Sequence, residues 1–203
     1  MNGSGRRGAR NPGAFSRVAA AAMATAMVAA TPSALAAQRA GPVPDSTFPA
    51  AWVGRWAGEV VTVSPPDSVR NRVPVVRDIA PEPQGGGWTW RTVFNGDTVN
   101  GVRPYRLVVR DAARGRYAVD EGNGLELEAT WVAGTLISVF QVGGRVLESR
   151  EEVRGDTLVQ ELVWWSATPS GRMRGAGANA EQGMEVLAYQ VEGRQRMVMR
   201  RVR

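Results

Sequence analysis

The chain is predicted to fold as an all-β protein, a single antiparallel up-and-down β-barrel of about 8–10 strands. Three observations predict it. From residue 51 onward no window keeps apolar residues at helical spacing, whereas short runs rich in Val, Leu, Thr and Trp alternate apolar with polar. Gly-bearing turns separate those runs at near-regular intervals. The chain also has no cysteine, so no disulfide can stabilise it and a closed, well-packed sheet must do so.

In chain order, strands are expected at 59–63, 73–78, 88–94, 105–111 and 116–120, then in a clearer stretch. Leu125, Leu127, Ala129 and Trp131 alternate with Glu126, Glu128 and Thr130, the period of two of a half-buried strand. Ala133-Gly134 turns the chain into 135–142, and Gly143-Gly144 suits the positive φ angles of a type I′ hairpin leading into 145–154. Gly155-Asp156 then leads into 157–166, where Leu158, Leu162 and Trp164 share a face. A last hairpin is expected from 184–191 and 194–202 through Glu192-Gly193. Segments 64–71, 79–87 and 167–183 read as longer loops, the last exposed and poor in apolar bulk. An open meander would leave two edges as templates for aggregation, and closure removes both. A two-sheet sandwich is the competitor, but its long crossovers do not suit hairpins that link neighbours. An outer-membrane barrel fits less well, because Glu148, Arg150 and Glu152 fall on one face of a strand and Glu151 on the other.

The first 36 residues form a separate unit. Arg6, Arg7, Arg10 and Arg17 precede an uncharged Ala- and Met-rich run, and Ala34-Leu35-Ala36 offers the small residues that a signal peptidase reads. The expected division is a signal peptide at 1–36, an extended Pro-rich lead-in at 37–50 and the barrel at 51–203. The expected location is the periplasm or the extracellular space, with no membrane span after cleavage near Ala36, since the apolar run is shorter than the roughly 20 residues a spanning helix needs. All 25 basic side chains are arginine, against 19 acidic ones. Four of those arginines lie in the leader, which leaves 21 against 19, so the mature charge is close to neutral. No arginine cluster interleaved with aromatics tracks a phosphate backbone, and nucleic-acid binding is not expected.

The absence of histidine, together with that of cysteine, removes Ser-His and Cys-His nucleophilic catalysis and nearly every zinc or copper site. No cofactor, no metal and no enzyme activity is therefore expected. Glu126 with Glu128, and Glu148 with Glu152, share faces in the manner of paired catalytic carboxylates, but they read more simply as solvent-facing.

Trp52-Val53-Gly54-Arg55-Trp56-Ala57-Gly58 precedes the first predicted strand. Gly54-Arg55-Trp56 resembles the Gly-x-Trp signature at the start of the first strand in lipocalins and their calycin relatives, which include fatty-acid-binding proteins and avidins. The resemblance implies a calycin-like barrel in which Trp56 plugs the closed end and an arginine near the end of the last strand stacks across it. The matching arginine is Arg200 or Arg201, with Arg203 a third candidate, and Arg200 is the one assigned to the plug. The W-x-G-x-W-x-G spacing is also similar to bacterial exported lipocalin-like families of unknown function and to nitrobindin-like haem barrels. The latter need an axial histidine that this chain lacks, so haem is not carried over. The second lipocalin signature, Thr-Asp-Tyr, is absent, as is the C-terminal helix.

One consistent inward set for such a barrel is Trp90, Phe94, Tyr105, Leu107, Tyr117, Trp131, Phe140, Trp164 and Met197, an aromatic, Met-bearing lumen suited to an apolar guest. Fatty-acid-binding barrels hold a carboxylate with an arginine near the last strands, which points to Arg150, and next to Arg196. The expected function is an exported protein that holds a small apolar or anionic, lipid-like molecule in its lumen. The alternative is an envelope module that binds protein or glycan through its exposed loops, with no lumen ligand.

Overall fold

The computed structural model describes residues 48–175 and 183–203. The predicted signal peptide, all but the last three residues of the lead-in, and residues 176–182 lie outside the described residues. A 3-10 turn at Ala50–Trp52 leads into β1 (Gly54–Ser64), β2 (Ser68–Pro81), β3 (Gly87–Phe94), β4 (Val102–Asp111) and β5 (Arg116–Asp120). There follow β6 (Glu126–Val132), β7 (Thr135–Val142), β8 (Arg145–Arg154), β9 (Thr157–Ser166), β10 (Gly171–Arg174), β11 (Glu185–Ala188) and β12 (Val191–Arg201).

Ten of these strands close a barrel in the order β1-β12-β9-β8-β7-β6-β5-β4-β3-β2. From β1 to β9 each strand pairs antiparallel with its successor. Closure is made by β1 and β12, in register from Trp56 opposite Arg201 to Val63 opposite Arg194. The barrel therefore has no free edge, the outcome expected of a long meander that avoids edge-to-edge association. Gly143 and Gly144 join β7 to β8 at φ 55° and 77°, the type I′ signs that fit the right-handed twist of the flanking strands.

Two segments depart from the reading of the sequence. The expected loop 64–71 is only the turn at residues 65–67, because β1 and β2 continue into it as an arm whose β2 side is largely exposed. Both faces of that arm meet solvent, so no apolar alternation marks it. The expected last hairpin through Glu192-Gly193 does not form. Instead β12 runs through Gly193 with a bulge beside it and pairs with β9, while β11, from the expected strand 184–191, pairs in a separate two-stranded sheet with β10, which forms inside the expected 167–183 loop. Gly193 serves close approach here and not a turn, since an added Cβ would lie 2.1 Å from the Trp164 ring.

Alternation fills the closed end of the barrel. Trp56, Val60, Val75, Ile79, Trp90, Leu107, Tyr117, Ala129, Leu136, Leu158, Met197 and Met199 are buried and form one core with Trp52. The exterior carries ion pairs such as Arg106–Glu82 at 2.5 Å and Arg194–Glu161 at 2.5 Å, and exposed pairs of this kind contribute little to stability.

The second glycine of the W-x-G-x-W-x-G run has a steric reason. A Cβ on Gly58 would sit 1.9 Å from the Val198 carbonyl oxygen and 2.7 Å from the Met199 Cα, both backbone atoms of the facing strand. Neither can swing aside, so Gly58→Ala must spread the closing seam. The expected loss is about 1–3 kcal/mol, as for other overpacked sites, measured as a lower urea midpoint with an unchanged slope.

Candidate functional site

The closed end is an aromatic plug. Trp56 is fully buried, and its indole N–H donates to the Trp52 carbonyl at 3.0 Å. The Arg201 guanidinium lies 4.1 Å from the Trp56 ring centroid and donates to the carbonyls of Val53 at 2.5 Å and Ala51 at 3.0 Å. Of the two arginines expected at this position Arg201 takes it, which corrects the assignment of Arg200 to the plug. On β12, Met197, Met199 and Arg201 share the inward parity, so Arg200 points outward and donates to the Thr157 hydroxyl at 2.6 Å. Gly54, at φ 143°, leaves room for that stack, because a Cβ there would lie 2.6 Å from the Arg201 guanidinium. Beneath it Phe48 stacks on Trp131 at 4.0 Å and meets Trp52 and Tyr117 edge-on, and Trp52 lies 5.7 Å from Trp90.

Above the plug the interior is not filled. A cavity of about 390 Å³ opens between the sheet walls. Of the residues predicted to face the lumen, Trp90, Phe94, Tyr105, Phe140 and Met197 line it. Leu107, Tyr117 and Trp131 do not, because they are taken up in the plug layer, where Leu107 is buried and Tyr117 and Trp131 pack around Phe48. Trp164 has the inward parity of Leu158, Gln160 and Leu162, yet its ring covers Gly193 and does not line the cavity. Arg150 is corrected outright. It is exposed and paired with Glu148 on the outer face, which pushes its pKa up through the Glu148 hydrogen bond and charge. Arg196 also faces outward, beside Glu59 and Val61.

The polar group inside the barrel is one the reading of the sequence missed. On β2, Arg77 sits between buried Val75 and Ile79, and on β8 the inward residues are Ser149 and Glu151. Arg77 and Glu151 meet at 2.5 Å with side chains only 5% and 8% exposed. Arg77 also donates from Nε to Thr92 Oγ1 at 2.9 Å and from its other terminal nitrogen to Gln160 Oε1 at 2.8 Å. Trp90 donates to Glu151 Oε2 at 3.3 Å, and Gln160 donates to Ser149 Oγ at 3.1 Å. Each guanidinium nitrogen is thus engaged and its charge is matched, which is what allows a cation to persist in a low-dielectric interior.

The rest of the lining is apolar wall from Val119, Leu127, Ala129, Leu136 and Leu162. At the rim stand Arg103, Glu121 and Gln195. Arg103 donates to the carbonyls of Asn100 and Val102, and no carboxylate among the described residues lies in salt-bridge range of it. Burial first, and then the neighbouring Glu121 carboxylate, pushes the Tyr105 phenol up, so Tyr105 stays a neutral donor.

No protein-family model and no curated protein matches the chain. Among solved structures it is similar to a protein of unknown function from the DUF3598 family of Nostoc punctiforme, with a TM-score of 0.53 and 10% identity over 80% of this chain and 51% of that one. The chain spans about half the length of that protein. An S-type phycobiliprotein lyase from Guillardia theta aligns with a TM-score of 0.45 and 13% identity over 74% of this chain and 88% of that one. The first likeness is one of fold alone, and the second is too slight to carry an argument.

Proposed function

We propose that this protein is an exported binding protein that holds a small, largely apolar molecule in the lumen of its barrel. The observation that carries the reading is the cavity of about 390 Å³, open space above a packed plug. A barrel of this size can be filled by its own side chains, and this one is not. Its volume lies in the range of ligand pockets, and aromatic and aliphatic walls around a few convergent polar groups are the composition such pockets use. The internal cation is already neutralised by Glu151, so the floor offers no free charge to an anionic head group. Support for export comes from the leader-like residues 1–36 alone.

The reading is tested by titrating the mature protein with a solvatochromic apolar dye and following quenching of tryptophan emission. Leu127 lines the cavity from β6, which pairs only with β5 and β7 and so carries none of the floor's polar groups; Leu127→Trp fills the space without disturbing the floor. The expected result is saturable binding by the native protein and at least a roughly tenfold loss in the variant, about 1.4 kcal/mol of binding energy. Undiminished binding by the filled variant would place the dye elsewhere and reject the lumen.

A further inference from the structure

The hydrogen-bond inventory of the cavity floor has two openings. Both bonds to Glu151 fall on Oε2, one from Arg77 and one from Trp90, and none falls on Oε1. Among the described residues no fully buried side-chain polar atom lacks a partner. Oε1 must therefore keep contact with the open space that Glu151 lines. The carboxylate is held from behind and presents its second oxygen to the lumen. Ser149 is the other opening. It is 9% exposed, its Oγ accepts from Gln160, and its own hydroxyl proton has no acceptor among the described bonds. Ser149 and Glu151 are two apart on β8 and face inward together, their Cα atoms about 7 Å apart.

A free acceptor beside a free donor, both nine-tenths buried, sets what the floor can take. A carboxylate or phosphate head would face Glu151 Oε1 with like charge, in a place where repulsion is poorly screened. An alkyl end would leave both openings unpaired. A group that donates once and accepts once satisfies both, and a hydroxyl is the smallest group that does so. We propose that the ligand is an uncharged apolar alcohol whose hydroxyl is seated at the floor, donating to Glu151 Oε1 and accepting from Ser149. The hydrocarbon then runs past Phe94, Leu127, Phe140 and Leu162 toward the rim. This assignment rests on the lumen reading above and deepens it by naming the head group.

The rival pose is head-up: an anionic amphiphile with its chain inside and its carboxylate on Arg103 at the rim. A matched series separates the two. Competition for the dye is measured with 1-decanol, decanoate and decyl methyl ether at about pH 8, where decanoate is fully ionised. Decanol is expected to bind at least about tenfold tighter than either partner, the value of one or two buried hydrogen bonds. Ser149→Ala, which removes one small group and no charge, should cost decanol about fivefold. Decanoate equal to or tighter than decanol, with that binding lost in Arg103→Ala, would overturn the assignment in favour of the rim pose. Ether equal to decanol would overturn it by showing that no donor is needed. Displacement by none of the three, with the dye still bound and excluded by Leu127→Trp, would overturn the alcohol and leave the lumen standing. Failure of the dye itself to enter would bring down both.

Discussion

Glu151→Gln is expected to destabilise the fold by about 3–5 kcal/mol, the cost of leaving a buried charge without its partner. Arg77 is 4% exposed and cannot reach water without breaking its bonds to Thr92 and Gln160. An amide in place of the carboxylate keeps the shape and withdraws the counter-charge, so the guanidinium is stranded. For a domain of this size the loss corresponds to a fall in Tm on the order of 10 °C. Arg77→Met with Glu151→Leu removes both charges and should recover most of the stability, because well-packed apolar residues often equal or exceed a buried pair. If the single change hurts and the double does not, the pair is retained for the site and not for the fold. Denaturant midpoints of the three proteins make the comparison.

How much of this was legible in the sequence follows from period two. The meander from β6 to β9 was readable because Leu127, Ala129 and Trp131 alternate with acids and because Gly143-Gly144 permits only a tight turn. Closure followed from the edge argument. The interior polar pair was not read, because β8 runs Glu148-Ser149-Arg150-Glu151-Glu152 and carries charge on both faces, so alternation alone does not choose between Arg150 and Glu151. A one-residue change of parity exchanges the two faces entirely. The same step separates Arg200 from Arg201. In each case a signal existed nearby, since Met197 and Met199 fix the parity of β12, and Val75 and Ile79 place Arg77 inward. Pairing of β10 with β11 had no such signal, because four-residue strands with exposed Met173, Val186 and Leu187 bury too little to leave a pattern.

Trp56→Ala should also cost about 3–5 kcal/mol, the range for emptying a large buried aromatic site. The indole is fully buried, and its loss would undo three things together: its packing in the core, its hydrogen bond to Trp52 and the ring on which Arg201 rests. Two milder changes apportion the effect. Trp56→Phe keeps most of the packing and loses the N–H donor, with an expected cost of about 1–2 kcal/mol. Arg201→Lys keeps a cation but cannot reach both the Val53 and Ala51 carbonyls while lying flat on the ring. Its expected cost is also about 1–2 kcal/mol. Because the plug forms the base beneath the Arg77–Glu151 layer, Trp56→Ala should in addition weaken dye binding, whereas Arg200→Lys, on the outer face, should change neither quantity.

An open lumen that takes a guest must register in the methionine methyl resonances. Met197 lines the cavity, whereas Met173 and Met184 are 57% and 55% exposed and belong to neither the lining nor the core. With carbon-13 methyl methionine in the mature protein, titration with the apolar dye should shift the Met197 signal saturably and leave those of Met173 and Met184 in place. A Met197 signal that stays fixed at saturating dye, or a shift confined to the two exposed methionines, would show that the guest does not enter the lumen.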